Sequence, residues 1–241
     1  GTVGADYVAK AAPDGYTLGV ATVSTMATNP AMNPKMPYDS LKDFAPITNL
    51  VNVPNVMTVN PARAPVKDMK EFIALVKKNP GRFSYASSGT GGISHLDGEL
   101  FKVLTGTFMV HIPYRGSGPA LNDTVAGQVD AQLDNLPSSL PFIKAGKLKA
   151  LAVMSDKRVD SLPDVPTFAE VGLKDANNMA WYGLVAPAGT PREIVDKARG
   201  AAVRALADAD VKKRLADGGS LIDGGTPEQF TQKIQRELAL R

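Results

Sequence analysis

Twice near the middle of the chain a short apolar run passes through a glycine-rich turn into an amphipathic stretch. Residues 83–86 lead through Ser87-Ser88-Gly89-Thr90-Gly91-Gly92 into 93–104, and residues 109–114 lead through Arg115-Gly116-Ser117-Gly118 into a helix expected from Pro119. A strand–turn–helix unit repeated in this way predicts an α/β fold with a parallel sheet covered by helices on both faces. Further strands are expected at 16–21, 44–49, 55–60, 129–133, 148–154 and 179–186, and helices at 3–12, 67–79, 209–217 and 227–240. Residues 23–33, polar and small, begin as a loop. Thr190-Pro191-Arg192-Glu193 predicts a capping box with proline at the first helical position, and Thr226 and Gln229 repeat the box.

At 241 residues the chain is long enough for one large domain or two lobes. Its 44% apolar and 21% charged content is that of an ordinary globular protein, and no apolar run approaches the ~20 residues of a membrane-spanning helix. Cysteine is absent, which removes disulfides, thiolate chemistry and Cys-based zinc sites and fits an oxidising compartment. The net charge of +3 is small and its lysines and arginines are scattered, so nucleic acid is not an expected partner. A domain of this kind is expected to have a strand and helix ahead of Val3, and the opening Gly1-Thr2-Val3-Gly4 reads as a cut through a loop.

A glycine-rich turn that opens a helix leaves backbone N–H groups without intrahelical partners, and the helix adds its positive end. Ser87, Ser88, Gly89, Thr90, Gly91 and Gly92 therefore predict an anion site. No lysine follows the glycines, so it is not a phosphate-gripping P-loop. His95, in the first turn of the following helix, reads either as structural, as a ligand contact or as a general base. His111, inside a strand, reads as structural. Neither Ser88 nor Ser117 sits in a GxSxG nucleophile frame. Two histidines sixteen residues apart make a poor metal site.

Asp134 lies at the carboxyl end of an expected strand, where α/β sheets hold their ligands. It would either contact a ligand ammonium or hydroxyl or cap the next segment. Ser24 and Thr25 follow the 16–21 strand with the same logic, against the plainer role of helix capping. Trp181 belongs either to the core or to a pocket wall. The inventory holds anion donors and no convincing nucleophile, base or metal, which favours a binder over an enzyme.

Five blocks, in order, resemble the tripartite tricarboxylate transporter substrate-binding proteins, or Bug receptors. They are Ala11-Ala12-Pro13-Asp14-Gly15-Tyr16-Thr17-Leu18; Tyr85-Ala86-Ser87-Ser88-Gly89-Thr90-Gly91-Gly92 with His95; Pro113-Tyr114-Arg115-Gly116-Ser117-Gly118-Pro119-Ala120-Leu121; Gly127-Gln128-Val129-Asp130; and Trp181-Tyr182-Gly183-Leu184-Val185-Ala186-Pro187-Ala188-Gly189-Thr190-Pro191. The resemblance implies a class II periplasmic solute-binding fold: two α/β lobes joined by two crossing strands, with the ligand cleft between them. On this basis residues 1–61 plus 151–241 form one lobe and 62–150 the other. It implies a periplasmic, cofactor-free receptor for a small carboxylate, namely a di- or tricarboxylate, an amino acid or an aromatic acid. The partners implied are membrane permease subunits and a sensor protein, without direct membrane insertion. Two loops of the family grip one ligand carboxylate. One is the glycine loop; the other lies upstream of residue 1. Ligand contacts are expected from Ser24, Thr25, the 87–92 loop, His95, Asp134 and Trp181. Two other readings are an enzyme acting on a carboxylate or phosphate ester through His95, and a signalling module.

Overall fold

The computed structural model describes residues 1–240. In chain order its elements begin with α1 (Thr2–Lys10), β1 (Gly19–Thr22), a turn of π-helix (Ser24–Thr28) and α2 (Asn29–Met32). There follow β2 (Phe44–Val53), β3 (Asn55–Val59), α3 (Met69–Lys78), β4 (Ser84–Ser87), α4 (Ile93–Thr105) and β5 (Val110–Pro113). Next come α5 (Ser117–Val125), β6 (Ala131–Asn135), α6 (Leu136–Lys144) and β7 (Lys149–Met154). The chain closes with a 3-10 turn (Lys174–Ala176), β8 (Ala180–Pro187), α7 (Arg192–Ala207), α8 (Ala209–Asp217), β9 (Leu221–Ile222) and α9 (Pro227–Ala239).

These elements form two compact units: Gly1–Asn52 together with the residues from Ala180 onward, and Val53–Met179. The break expected at residue 151 falls inside β7, which pairs with β3 along its whole length and so keeps 151–179 with the second unit.

The first unit has a four-stranded sheet in the order β1-β8-β2-β9, with β1 antiparallel to β8 and β2 antiparallel to β9. Ile47, Ala186 and Val195 form a core cluster where α7 lies on the sheet. Trp181 stands edge-on to Phe230 of α9, with ring centroids 5.3 Å apart. The expected box at Thr226 is present: its hydroxyl accepts from Gln229 N–H while the Gln229 side chain accepts from Thr226 N–H. The box expected at Thr190 is not. Helix α7 starts at Arg192 with Pro191 as its N-cap, and the Thr190 hydroxyl instead donates to the Pro187 carbonyl at 2.7 Å.

The second unit has a five-stranded sheet, β5-β4-β6-β3-β7. Strands β5, β4 and β6 are parallel, but β3 runs antiparallel to both β6 and β7. The expected all-parallel sheet is therefore mixed. The strand–helix–strand pattern correctly makes β6 and β7 co-directional; it carries no sign that an earlier strand is inserted between them. All five residues of β3 are buried, as befits a strand covered on both faces. Met57 joins one cluster with Phe72, Phe101 and Leu133, and Val56 joins another with Leu136, Leu140 and Val153.

Candidate functional site

The parallel register Ser87↔Pro113 and Ala86↔Gln132 brings the carboxyl ends of β4, β5 and β6 to one edge of the second unit's sheet. The glycine loop leaves β4 there, residues 114–116 leave β5, and Asp134 lies two residues beyond Gln132 on β6. Gly116 donates its N–H to the Ser88 carbonyl at 3.1 Å and Tyr114 donates to that of Ser87 at 3.0 Å, so the first two turns are tied together.

Inside the glycine loop most backbone donors have partners, contrary to the expectation of a row of open N–H groups. Ser88 N–H donates to Ser94 Oγ (3.2 Å), Gly89 N–H to Ser87 Oγ (3.3 Å), Gly91 N–H to His95 Nδ1 (3.2 Å) and Gly92 N–H to the Gly89 carbonyl (3.3 Å). Among the described residues Thr90 is the exception: neither its N–H nor its hydroxyl has a hydrogen-bond partner, and the residue is exposed. Gly91 has φ +79°, a left-handed conformation that costs a β-carbon dearly. The loop is thus a preorganised scaffold that presents Thr90 and the N-terminus of α4.

Behind the loop lies a cluster of ionisable groups that sequence reasoning resolved only in part. His111 Nε2 and Ser87 Oγ are 2.6 Å apart. The rings of His95 and His111 stack at 4.1 Å with an interplanar angle of 18°, and Tyr85 stacks on the other side of His111 at 4.9 Å. The Tyr85 hydroxyl donates to Glu99 Oε1 at 2.7 Å, and Lys102 pairs with Glu99 at 2.7 Å. Burial pushes His111 down to about 4, helped by the proximity of His95, and burial also holds His95 below its ordinary range. Burial pushes Glu99 up, but the Lys102 ammonium and the Tyr85 hydroxyl outweigh it and hold the carboxyl below its usual range. His95 is therefore neutral near pH 7, and its Nδ1 lone pair is occupied by the Gly91 N–H. A general base needs that lone pair for a substrate proton. Parallel pairing sets Tyr85 against His111, which no one-dimensional spacing reveals; the Glu99 partner, four residues after His95 on a helix, was visible in the sequence.

Asp134 is 2% exposed. Ser117 donates its hydroxyl to Oδ1 at 2.6 Å and Gln132 donates its side-chain N–H to Oδ2 at 3.3 Å. Burial pushes the carboxyl up to about 6, against the pull of the Ser117 hydroxyl and the Asn135 N–H. Asp134 and the glycine loop are hence brought to one edge, joined there by Ser117, whose Gly116-Ser117-Gly118 frame gave no sign of this role.

The remaining candidates lie in the first unit. Thr25 is buried, and it closes a reciprocal box with Thr22: Thr22 N–H donates to Thr25 Oγ1 (3.0 Å) and Thr25 N–H to Thr22 Oγ1 (3.2 Å). Ser24 is half-buried at the start of the π-helical turn. Trp181 is 1% exposed, packed in the core, and its indole N–H has no acceptor among the described residues. No group of three or more His, Asp or Glu side chains that could hold a metal ion occurs among the described residues. No helix among them is long and apolar enough to cross a membrane.

Solved structures match this architecture over nearly all of the chain. "Structure of a periplasmic transporter" has a TM-score of 0.97 at 54% identity, covering 99% of this chain and 80% of that one. Rpa4515 of R. palustris with adipate gives 0.95 at 35% identity, covering 100% and 80%. MatC from Rhodopseudomonas palustris with bound malate gives 0.93 at 36% identity, covering 99% and 82%. The fold is that of the periplasmic solute-binding proteins. The family model for the tripartite tricarboxylate transporter family receptor, TctC, matches residues 1–240, and the chain belongs to that family. Protein BugT of Bordetella pertussis is 36% identical over 239 residues, which cover 99% of this chain and 73% of BugT.

Proposed function

We propose that this chain is a periplasmic receptor for a small dicarboxylate, which it hands to the permease of a tripartite transporter. The observation that carries this reading is the meeting of the braced glycine loop and the buried Asp134 at one edge of three parallel strands. Thr90 and the positive end of α4 suit one ligand carboxylate. Asp134, charged above its raised pKa, suits a ligand hydroxyl or ammonium; protonated, it can donate to a second carboxylate. The bound malate of MatC and adipate of Rpa4515, in relatives that match most of the chain, agree with a dicarboxylate. Within the first unit, Trp181, whose buried indole N–H has no acceptor among the described residues, and Ser24 and Thr25, on a hydroxyl-bearing turn, stand as further candidate ligand contacts. His95 serves the loop from behind, and the role is capture, not turnover.

A thermal-shift screen of di-, tri-, amino and aromatic acids tests the proposal. A saturable rise in melting temperature with malate, adipate or a close relative is the expected result. A folded preparation that responds to none of these acids overturns it.

A further inference from the structure

We propose that His95 and His111 are positioning residues: a stacked, uncharged imidazole pair that braces the glycine loop and lets it go on binding protons, so that ligand affinity falls in acid. The inference rests on the reading of that loop as the carboxylate grip.

The geometry gives each ring one defined task. His95 Nδ1 accepts the Gly91 N–H, which places the ring proton on Nε2, 4.0 Å from Glu99 Oε1. His111 Nε2 holds Ser87 Oγ, the atom that also bonds both the N–H and the carbonyl of Gly89. Two imidazoles thus fix Ser87, Gly89 and Gly91. Stacking at 4.1 Å then makes them interdependent, since a charge on one ring is felt by the other. A protonated His95 carries a hydrogen on Nδ1 and meets the Gly91 N–H donor to donor. A protonated His111 donates to Ser87 Oγ, whose hydroxyl already donates to the Gly89 carbonyl, so the cost there is a buried charge stacked on His95.

The surroundings decide the direction. From β4 the pair faces the Tyr85 hydroxyl and Ser87; from α4 it faces Glu99 and Lys102. Among the described residues Glu99 is the anion that acts on the pair, and it is already engaged by Lys102 and Tyr85. Burial keeps both imidazoles below their ordinary range, with His111 at about 4. The braced loop therefore rejects protons. A ligand that needs the braced loop expels them when it binds, and its affinity declines as the pH falls through the lowered midpoints of the ligand-free pair, below the ordinary imidazole range.

The chain has two histidines, so their ring signals in the ligand-free, isotope-labelled protein can be assigned by single substitution and followed by NMR. Both are expected to titrate below the ordinary imidazole value. His95 should be in the Nε2–H form, and the Gly91 amide resonance should move with the His95 midpoint. His95→Asn should raise the His111 midpoint by relieving the positive neighbour. The second arm measures malate affinity by calorimetry at about pH 7.5 and about pH 5 in the native chain and in His95→Asn, which keeps an acceptor for Gly91 but cannot titrate there. Ionisation of malate and of Asp134 is common to both proteins. The acid-induced loss of affinity should be greater in the native chain than in His95→Asn. Normal histidine titration, or a Gly91 amide indifferent to it, overturns the brace. So does an equal loss of affinity in the two proteins, or a greater loss in the variant. If malate binds neither protein, the NMR arm still decides the brace, and the failure belongs to the choice of ligand.

Discussion

The Ser117 hydroxyl donates to the carboxylate of Asp134 across 2.6 Å, joining the first turn of α5 to the end of β6. The contact is short because a buried carboxylate, at 2% exposure, has few other ways to offset its lost hydration. It also sets a measurable pH dependence. The folded pKa of about 6 lies above the value of 3.8 for a free side chain. The native state thus binds the proton more tightly than the unfolded state, so this group makes the protein more stable as the pH falls from about 6 towards 4. Asp134→Asn, which stays uncharged, should raise stability at about pH 7.5 by about 2 kcal/mol and flatten that segment of the profile. Urea denaturation at several pH values measures it.

Gly98 is the point where α4 meets the sheet. A β-carbon there would lie 2.2 Å from Cε2 of Tyr85 and 2.5 Å from its Cζ. Gly98→Ala should therefore cost about 2 kcal/mol through overpacking, although alanine is the better helix former by about 1 kcal/mol. Because Tyr85 would be displaced from His111 and Glu99, the variant should also weaken carboxylate binding. Denaturation and calorimetry on the same preparation check both parts.

Two threonines near helix starts separate real caps from apparent ones. Thr226→Ala removes a reciprocal box and should cost about 1 kcal/mol. Thr190→Ala removes a single hydrogen bond to the Pro187 carbonyl and no cap, and should cost about half as much. Equal losses in denaturant midpoints would contradict the distinction.

Buried Trp181 tests whether its indole N–H serves the fold. That N–H has no acceptor among the described residues, so Trp181→Phe forfeits packing but no hydrogen bond. It should cost about 1–2 kcal/mol, well short of the roughly 3–5 kcal/mol of Trp181→Ala. A ligand that uses the N–H would bind the Phe variant more weakly, and paired stability and affinity measurements separate the two roles.

The alternating units around the two glycine turns were legible because strand period, turn chemistry and helix period agree there. Helix α6 was not: two prolines, Pro137 and Pro141, lower the helix propensity of that segment. The first proline sits at a helix start, where no N–H is needed, and the second is carried inside the helix. The π-helical turn and α2 were hidden by a stretch of small polar residues that favours loops on propensity alone. The insertion of β3 between β6 and β7 is a tertiary choice with no local signature. At the site, the glycine loop and Asp134 could be named from motif and strand-end position. That the loop's donors are turned inward, and that His111 stands behind Ser87, depends on strand pairing and could not be read from spacing.

The most direct test of the account is an amide NMR titration of the native chain with malate and, separately, with adipate. Saturable shifts concentrated at residues 88–94 and 134–136 are the predicted result. Saturable shifts that leave both segments unmoved would contradict it.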